Sequence, residues 1–223
     1  MSSSIFHRGP ALAGPQADGE TLESVHQLAT ACERCDLYRN ATQVVFGEGS
    51  PNASVILVGE QPGDKEDLAG RPFVGPAGHK LDICLAEAGI DRSQCYLTNA
   101  VKHFKFEERG KRRLHAKPNS GEIQRCAYWL AAEIRIVKPR LVVAMGATAL
   151  ASLLGRNVRV TRDRGKLFAT PLGFPVLVTV HPSFLLRLPD PEEAAREQAR
   201  FVDDLRKALP FFPAGPVLEG TGS

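Results

Sequence analysis

The sequence lacks several features that would indicate a membrane, secreted or nucleotide-binding protein. It contains no run of about 18 apolar residues, and its N-terminus lacks the basic, apolar and small-residue order of a signal peptide. Neither GxxxxGK[ST] nor GxGxxG occurs, which disfavours a phosphate-binding loop, and no internal repeat is found. We therefore expect a soluble cytoplasmic protein that does not act at a membrane.

Cysteine is scarce, with 5 residues in 223, and in an intracellular protein this scarcity argues against a disulfide framework. Cys32 and Cys35 form a CxxC pair, which alone could be a zinc half-site, a redox pair or half of an iron–sulfur site. Further ligands could come from Cys84, Cys95, Cys126 or the histidines, and sequence spacing does not choose among them. The alternative is that these are buried, inert thiols.

The net charge of +3 is small but unevenly distributed. The window 102–117 holds seven Lys and Arg residues against Glu107 and Glu108, so it carries +5 and the remaining chain carries −2. A concentrated positive charge suits a nucleic-acid phosphate backbone. A solvated basic loop explains the charge equally well.

Apolar runs and helical patterns alternate along the chain. The apolar runs lie at 54–59, 95–100, 140–146 and 175–180, helical patterns lie at 21–31, 77–88, 120–136 and 146–154, and a last helix is predicted to begin near Asp190. This alternation predicts an α/β fold, a three-layer α/β/α domain at 19–210 with a central four-stranded parallel sheet. Pro and Gly near the ends predict flexible tails at 1–18 and 211–223.

Ligands of such sheets usually bind beyond the carboxyl ends of the strands. GEQPGDKED at 59–67 and GRPFVGPAG at 70–78 follow the first strand and supply a carboxylate, an amide and the flat ring of Phe73. Asn99 ends the second strand with an amide that can read a base edge, and His181 follows the fourth strand. Each is individually explained by an ordinary turn, cap or structural histidine. Their occurrence at successive strand ends favours a binding site.

His115 ends the basic run KRRLH at 111–115. Neighbouring cations disfavour a protonated imidazole, so we expect a neutral ring with a free lone pair, which can act as a base or a nucleophile. A histidine that contacts DNA, or is merely exposed, is the alternative.

Together, GEQPGDKED, GRPFVGPAG, TNAVKHFKF, KRRLH and HPSFLLR resemble the iron–sulfur uracil-DNA glycosylases, and specifically their UdgX type, over roughly residues 30–207. Family-4 enzymes typically show GEAPG, whereas the UdgX type shows GEQPG and an inserted KRR-hydrophobic-His loop. The resemblance implies a uracil-DNA glycosylase fold. It also implies a bacterial DNA-repair enzyme, associated with the nucleoid when bound to DNA, that acts as a monomer on single- or double-stranded DNA containing uracil.

The same resemblance implies roles for individual residues. His115 would attack C1′ and remain covalently bonded to the abasic site, Glu60 would act near C1′, and His181 would stabilise the departing uracil anion. The residues implied to bind uracil are Gln61, Asp67, Phe73, Asn99 and His181. Those implied to bind DNA are Lys111, Arg112, Arg113 and Ser183, and Arg113 is also a candidate anchor for its loop.

The family's [4Fe–4S] cluster is usually held by four cysteines, the third in a motif like NVVKC, and the aligned residue here is His103. The implied ligands are therefore Cys32, Cys35, His103 and Cys126, with the other two cysteines structural.

Two other functions remain open at this point. One is a conventional hydrolytic glycosylase that releases its product. The other is a non-catalytic metal-containing module that binds DNA.

Overall fold

The computed structural model describes residues 19–155, 158–171 and 173–213. The predicted tail at 1–18 and residues 214–223 of the second predicted tail lie outside the described residues. Within the described part, a 3-10 turn at Leu209–Phe211 spans the predicted boundary at residue 210.

The chain forms one sheet with helices on both faces and a separate hairpin. The strands are β1 (Glu48–Gly49), β2 (Val55–Gly59), β3 (Cys95–Asn99), β4 (Phe106–Arg109), β5 (Arg112–His115), β6 (Leu141–Met145), β7 (Leu167–Phe168) and β8 (Val176–Thr179). The α-helices are α1 (Leu22–Thr30), α2 (Asp64–Ala69), α3 (Pro76–Ala88), α4 (Ser120–Val137), α5 (Ala147–Leu154), α6 (Val160–Asp163), α7 (Pro182–Leu185) and α8 (Pro191–Arg206).

The sheet has six strands in the order β1-β3-β2-β6-β8-β7, and β4 pairs with β5 in the hairpin. The four central strands are parallel, while β1 and β7 pair antiparallel at the two edges. The predicted α/β class with a four-stranded parallel centre is therefore confirmed. The two edge strands, of two residues each, are too short to leave an alternating pattern in the sequence.

Burial on both faces explains why the central strands are continuous apolar runs. On β2, Val55 and Leu57 belong to the cluster that includes residues of α3 and α8. Ile56 and Val58, on the opposite face, belong to the cluster that includes residues of α4 and α5. Burying such a side chain fully is worth about 1.5–3 kcal/mol, so this alternation fixes which face each helix covers.

Local signals set the ends of the helices next to the sheet. Pro76 begins α3, and Gly89 ends it in the left-handed conformation with φ 78°. The Asp190 side chain accepts a hydrogen bond from the Glu192 N–H at the start of α8, as predicted for that cap. None of the helices in the described part of the chain is both long and apolar enough to cross a membrane.

Candidate active site

The parallel strands end at a cleft of about 1080 Å³. Gly59 and Asn99 are register partners at the ends of β2 and β3. A Cβ atom on Gly59 would lie 2.4 Å from Asn99 Oδ1, 2.7 Å from Phe73 Cζ and 3.3 Å from His181 Nε2. Three side chains from separate segments thus converge beside a residue that has no side chain. The same three side chains line the cleft, which therefore offers an aromatic ring, an amide and an imidazole to a flat polar ligand.

Phe73 presents its ring to this space from a strained backbone. Its φ of 56° lies in the left-handed region, which bulky residues rarely adopt. A Cβ on Gly78 would lie 1.9 Å from the Phe73 carbonyl oxygen, so the first turn of α3 closes tightly on this residue. The Phe73 ring is 5% exposed, and its centroid lies 6.2 Å from that of His181. Strain of this kind is often found where a site needs a fixed geometry.

The tautomer of His181 follows from its neighbours. The Ser183 N–H donates to His181 Nδ1 at 3.2 Å, so Nδ1 holds the lone pair and Nε2 carries the proton of the neutral ring. The Ser183 hydroxyl lies 2.8 Å from the same Nδ1 and accepts a hydrogen bond from Arg187. Burial is the main cause that lowers the pKa of His181 to about 4, with smaller lowering by Arg187 and His115 and an opposing effect of Glu60. A neutral Nε2–H donor therefore faces the cleft at neutral pH.

Glu60 and His115 meet across the cleft mouth. His115 Nε2 lies 3.2 Å from Glu60 Oε1, and the Thr148 hydroxyl donates to Glu60 Oε2. Burial raises the pKa of Glu60, but hydrogen bonds from His115 and Thr148 outweigh it, so the pKa is lowered from its usual value. Glu60 is therefore an ionised carboxylate at neutral pH. The His115 ring is thus in contact with a carboxylate, whereas the sequence pattern pointed to the neighbouring cations.

Gln61 fastens the hairpin that carries His115. Its Nε2 donates to the carbonyl oxygens of Lys105 (3.0 Å) and Ala116 (3.2 Å), which flank β4 and β5. Its Oε1 accepts from the Lys105 N–H at 3.2 Å. The Gln61 amide, predicted to bind uracil, is thus engaged by the hairpin backbone, although Gln61 also lines the cleft.

Arg113 provides the second attachment of the hairpin. Its Nη1 donates to Asp67 Oδ2 at 2.6 Å, its Nε donates to Asp64 Oδ1 at 2.7 Å, and its guanidinium lies 5.0 Å from the centre of the Phe106 ring. Asp67 also accepts hydrogen bonds from Thr42 and is fully buried outside the cleft lining. Arg113 is therefore placed to anchor the hairpin. Asp67, predicted to bind uracil, accepts a hydrogen bond from Arg113.

The basic window divides into internal and external charges. Lys102 is fully buried, with Nζ 2.6 Å from Glu133 Oε2, so it is not available to a phosphate. Lys105 pairs with Glu122. The cations exposed on or beside the hairpin are Arg109, Lys111, Arg112 and Lys117, and Glu107 and Glu108 are exposed there as well. The surface charge is therefore smaller than the sequence count and is concentrated around the hairpin.

Three of the predicted cluster ligands share a single buried apolar cluster. Cys32, Cys35 and Cys126 lie there with residues of α1 and α4. The Lys102 N–H donates to Cys126 Sγ at 3.1 Å, and Trp129 Nε1 donates to Cys32 Sγ at 3.1 Å. Such N–H···S contacts are typical of cluster sulfurs. Across residues 19–155, 158–171 and 173–213, however, no three metal-ligating side chains are already arranged as a binding group.

His103, the fourth predicted ligand, follows directly after Lys102 and is 5% exposed. Burial lowers its pKa, and the carboxylate of Asp67 partly opposes this effect. Cys84 in α3 and Cys95 in β3 lie in a different cluster, and burial raises their pKa values to about 11 and about 12. Those two thiols are therefore protonated and structural.

Two residues that contact the predicted site residues were not singled out from the sequence. Thr148 bonds Glu60, and its position in MGAT after the third predicted strand was the available signal. Gly59 lets Asn99 and Phe73 pack directly against its backbone, and its position at the end of the first strand was the signal there. Neither residue type indicates chemistry by itself, which explains the omission.

The geometry agrees with the comparisons with known proteins. Residues 46–206 match the model of the uracil DNA glycosylase superfamily. The chain is 39% identical over 194 residues to a type-4 uracil-DNA glycosylase of Thermotoga maritima, covering 86% of this chain and 95% of that protein. It is 36% identical over 175 residues to a type-4 enzyme of Pyrobaculum aerophilum, covering 75% of this chain and 86% of that protein.

A third relative, a type-4 uracil-DNA glycosylase of Sulfurisphaera tokodaii, is 31% identical over 209 residues, covering 88% of this chain and 92% of that protein. The family match spans the strands that form the cleft, from the segment before β1 to the end of α8. This chain belongs to the uracil DNA glycosylase superfamily.

Proposed function

We propose that this protein removes uracil from DNA by cleaving the N-glycosidic bond. The observation that carries the proposal is the convergence of Asn99 Oδ1, Phe73 Cζ and His181 Nε2 beside Gly59. An extruded uracil in the cleft that these three side chains line would stack on Phe73 and pair its polar edge with Asn99. His181 Nε2–H would donate to the uracil oxygen that gains negative charge as the bond breaks.

Glu60 supplies the complementary charge. Cleavage builds positive charge on the sugar, and an ionised carboxylate near C1′ stabilises that charge. The lowered pKa of Glu60 keeps it ionised. The exposed cations around the hairpin, including Lys111 and Arg112, would hold the phosphate backbone. The Ser183 hydroxyl, the other group predicted to bind DNA, already contacts His181 Nδ1 and Arg187.

The test is release of uracil from an oligonucleotide that contains a single uracil. The expected result is free uracil and an alkali-labile abasic site or a covalent complex, from both single- and double-stranded substrates. A matched oligonucleotide with thymine in place of uracil is the control. Purified protein that releases no uracil at any concentration would contradict the proposal.

We further propose that His115 captures the product covalently. The Nε2–H proton passes to the Glu60 carboxylate, and the Nε2 lone pair forms a bond to C1′. The C1′–N1 bond breaks, and its electron pair leaves with uracil. The 3.2 Å contact between His115 Nε2 and Glu60 Oε1 supports this step, as does a hairpin held at both ends by Gln61.

Hydrolysis is the second candidate outcome. Relatives named type-4 uracil-DNA glycosylases favour it, and in this mechanism Glu60 positions a water molecule that attacks C1′. A denaturing gel of a heated reaction in detergent separates the two outcomes. A uracil-dependent band shift that His115→Ser abolishes supports capture, while abasic product with no shift supports hydrolysis.

We also propose that Cys32, Cys35, His103 and Cys126 hold a [4Fe–4S] cluster. Shared burial of the three thiols and the two N–H donors to sulfur support the cysteine ligands, and His103 is proposed from the resemblance to the NVVKC motif. Such a cluster would act as a structural cross-link. Iron and labile sulfide should be present in protein purified without oxygen, reduced in Cys126→Ser, and unchanged in the control Cys84→Ser. Absence of both elements from wild-type protein would refute the cluster.

A further inference from the structure

Glu66 in α2 joins two loops of the cleft through backbone hydrogen bonds. Its Oε2 accepts from the Gly63 N–H at 3.1 Å, and its Oε1 accepts from the Gly75 N–H at 2.8 Å. The residue is 8% exposed. A buried carboxylate is costly unless its oxygens are hydrogen-bonded, and charge-assisted bonds to N–H groups are strong. Both oxygens of Glu66 are satisfied in this way.

The two N–H groups belong to the segments that carry functional side chains. Gly63 follows Glu60 and Gln61 after β2, and Gly75 ends the loop that carries Phe73. A Cβ on Gly63 would lie 2.8 Å from Glu66 Oε2, and one on Gly75 would lie 3.0 Å from Oε1. The close approach of the carboxylate therefore depends on glycine at both positions. Glu66 fixes the distance between the segment that bears the carboxylate and the segment that bears the aromatic ring.

Phe73 needs such support because its left-handed backbone is intrinsically unfavourable. A strained backbone conformation persists only when several contacts from the surrounding structure hold it in place. Gly70 begins the loop in the left-handed conformation, and the Gly75 N–H bonded to Glu66 ends it. A surface ion pair between Arg71 and Glu48 also touches this loop, with both side chains largely exposed. The pair is bidentate, but solvent screens it, whereas the Glu66 carboxylate is buried and accepts from two N–H groups, so the Glu66 contact is the stronger constraint.

We propose that Glu66 is a positioning residue that sets the aromatic platform for the base without touching it. The proposal rests on the proposed function, since the platform matters only if a base binds there. We call the two hydrogen bonds from Gly63 and Gly75 to Glu66 the clamp. Loss of the clamp frees the 70–75 loop and lets the Phe73 ring move from its place beside Gly59. Binding of the base is then weakened, while contacts to the DNA backbone persist.

The test compares Glu66→Gln with wild type and with the control Glu48→Gln. Glutamine keeps the size of the side chain, but its NH2 group faces one of the two N–H donors and cannot accept. Glu48→Gln removes a contact to the same loop at its exposed side. Glu66→Asp is a second variant that keeps the charge with a shorter reach. Three quantities are measured for each protein: amide hydrogen exchange at 70–75, affinity for free uracil as an inhibitor, and affinity for DNA that carries a tetrahydrofuran abasic analogue.

We expect Glu66→Gln to speed exchange at 70–75 and to weaken uracil binding about tenfold, the effect of losing one charge-assisted hydrogen bond. Affinity for the abasic analogue should stay within about twofold of wild type, because that ligand has no base to stack. The exchange rate and the uracil affinity of Glu66→Asp should lie between those of wild type and Glu66→Gln, and those of Glu48→Gln should match wild type.

Two results would overturn the clamp. One is unchanged exchange and unchanged uracil affinity in Glu66→Gln and Glu66→Asp. The other is an equal loss of uracil affinity and abasic-DNA affinity, which would indicate general destabilisation. The exchange measurement does not depend on catalysis. Wild-type protein that released no uracil would therefore refute the proposed function, and faster exchange in the variants would still establish the clamp on the loop.

Discussion

Gly59→Ala is the substitution that tests the base pocket most directly. The added methyl group would lie 2.4 Å from Asn99 Oδ1 and 2.7 Å from Phe73 Cζ. To reach ordinary van der Waals separation, the Asn99 oxygen would have to retreat by about 1 Å. Asn99 is 3% exposed at the end of a central strand, so it has little room to move. Gly59 is not among the glycines with positive φ, so alanine fits its backbone.

Displacement by about 1 Å of a group that positions the substrate can cost about 100-fold in rate. We therefore expect kcat/KM for uracil release to fall by about 100-fold or more. The accompanying loss of stability should be the about 1–3 kcal/mol typical of an overpacked core. Single-turnover release from an oligonucleotide with one uracil measures the first quantity, and urea unfolding measures the second.

The matched control is Gly121→Ala in the first turn of α4. The nearest atom to its new Cβ would be Asn119 Oδ1 at 3.3 Å, a side chain on the protein surface that can shift slightly. This variant should retain wild-type activity. The reasoning is refuted if Gly59→Ala folds and releases uracil within threefold of the wild-type rate, because the positions of Asn99 and Phe73 against Gly59 would then not matter for base binding.

Three further predictions concern residues around that space. Thr148→Val removes a hydrogen bond that lowers the pKa of Glu60, so the acidic limb of kcat/KM should move to higher pH; an unmoved limb would show that Glu60 does not control it. Arg113→Met removes the anchor to Asp67, so adduct formation at His115 should slow about tenfold or more while uracil release continues, and equal losses on a gel and in a release assay would contradict this. The pKa of His181 is lowered from 6.5 to about 4, so below about pH 6.5 the unfolded chain takes up a proton that the folded protein does not. The free energy of unfolding should therefore decrease as the pH is lowered from about 6.5 to about 4. Urea unfolding of His181→Gln should show a flatter pH dependence in that window, and an unchanged slope would exclude His181 as the source.

The central sheet was predictable because its strands are buried on both faces. Val55–Gly59 and Leu141–Met145 are continuous apolar runs, and each lies within the run that the sequence indicates. Helix α8 begins where Asp190 and Pro191 predict it. In these segments the local signals and the tertiary structure agree.

The hairpin was not predictable in the same way. β4 and β5 pair Glu107 with Leu114 and Glu108 with Arg113, and most of their side chains are exposed. A strand pair that buries no apolar face leaves no alternation of apolar and polar residues. Gly110, with φ 61°, marks the turn, but a single glycine in a basic run also fits a loop. The sequence therefore located the basic segment and left its shape open.

Charge counting also misjudged part of that segment. Lys102 contributes to the basic window, but its ammonium lies against Glu133, Thr98 and the Asn99 carbonyl oxygen in the interior. Breaking such a buried pair by removing one partner is strongly destabilising. Lys102 is thus part of the support beneath Asn99, and composition alone cannot distinguish such a lysine from one that binds phosphate.

Gln61 of GEQPG and the hairpin that contains KRRLH, the two features that distinguish this sequence from the typical family-4 pattern, contact each other in the structure. Gln61 makes three hydrogen bonds to the backbone at the two ends of the hairpin, and an alanine side chain could make none of them. The hairpin in turn brings His115 to within 3.2 Å of Glu60 Oε1. A chain with GEAPG would lack this attachment for an inserted hairpin, and a chain with GEQPG alone would leave a buried amide without partners, which is costly. The contacts around Gln61 therefore favour their joint occurrence, and under the proposed function the position of the hairpin would decide between capture and hydrolysis.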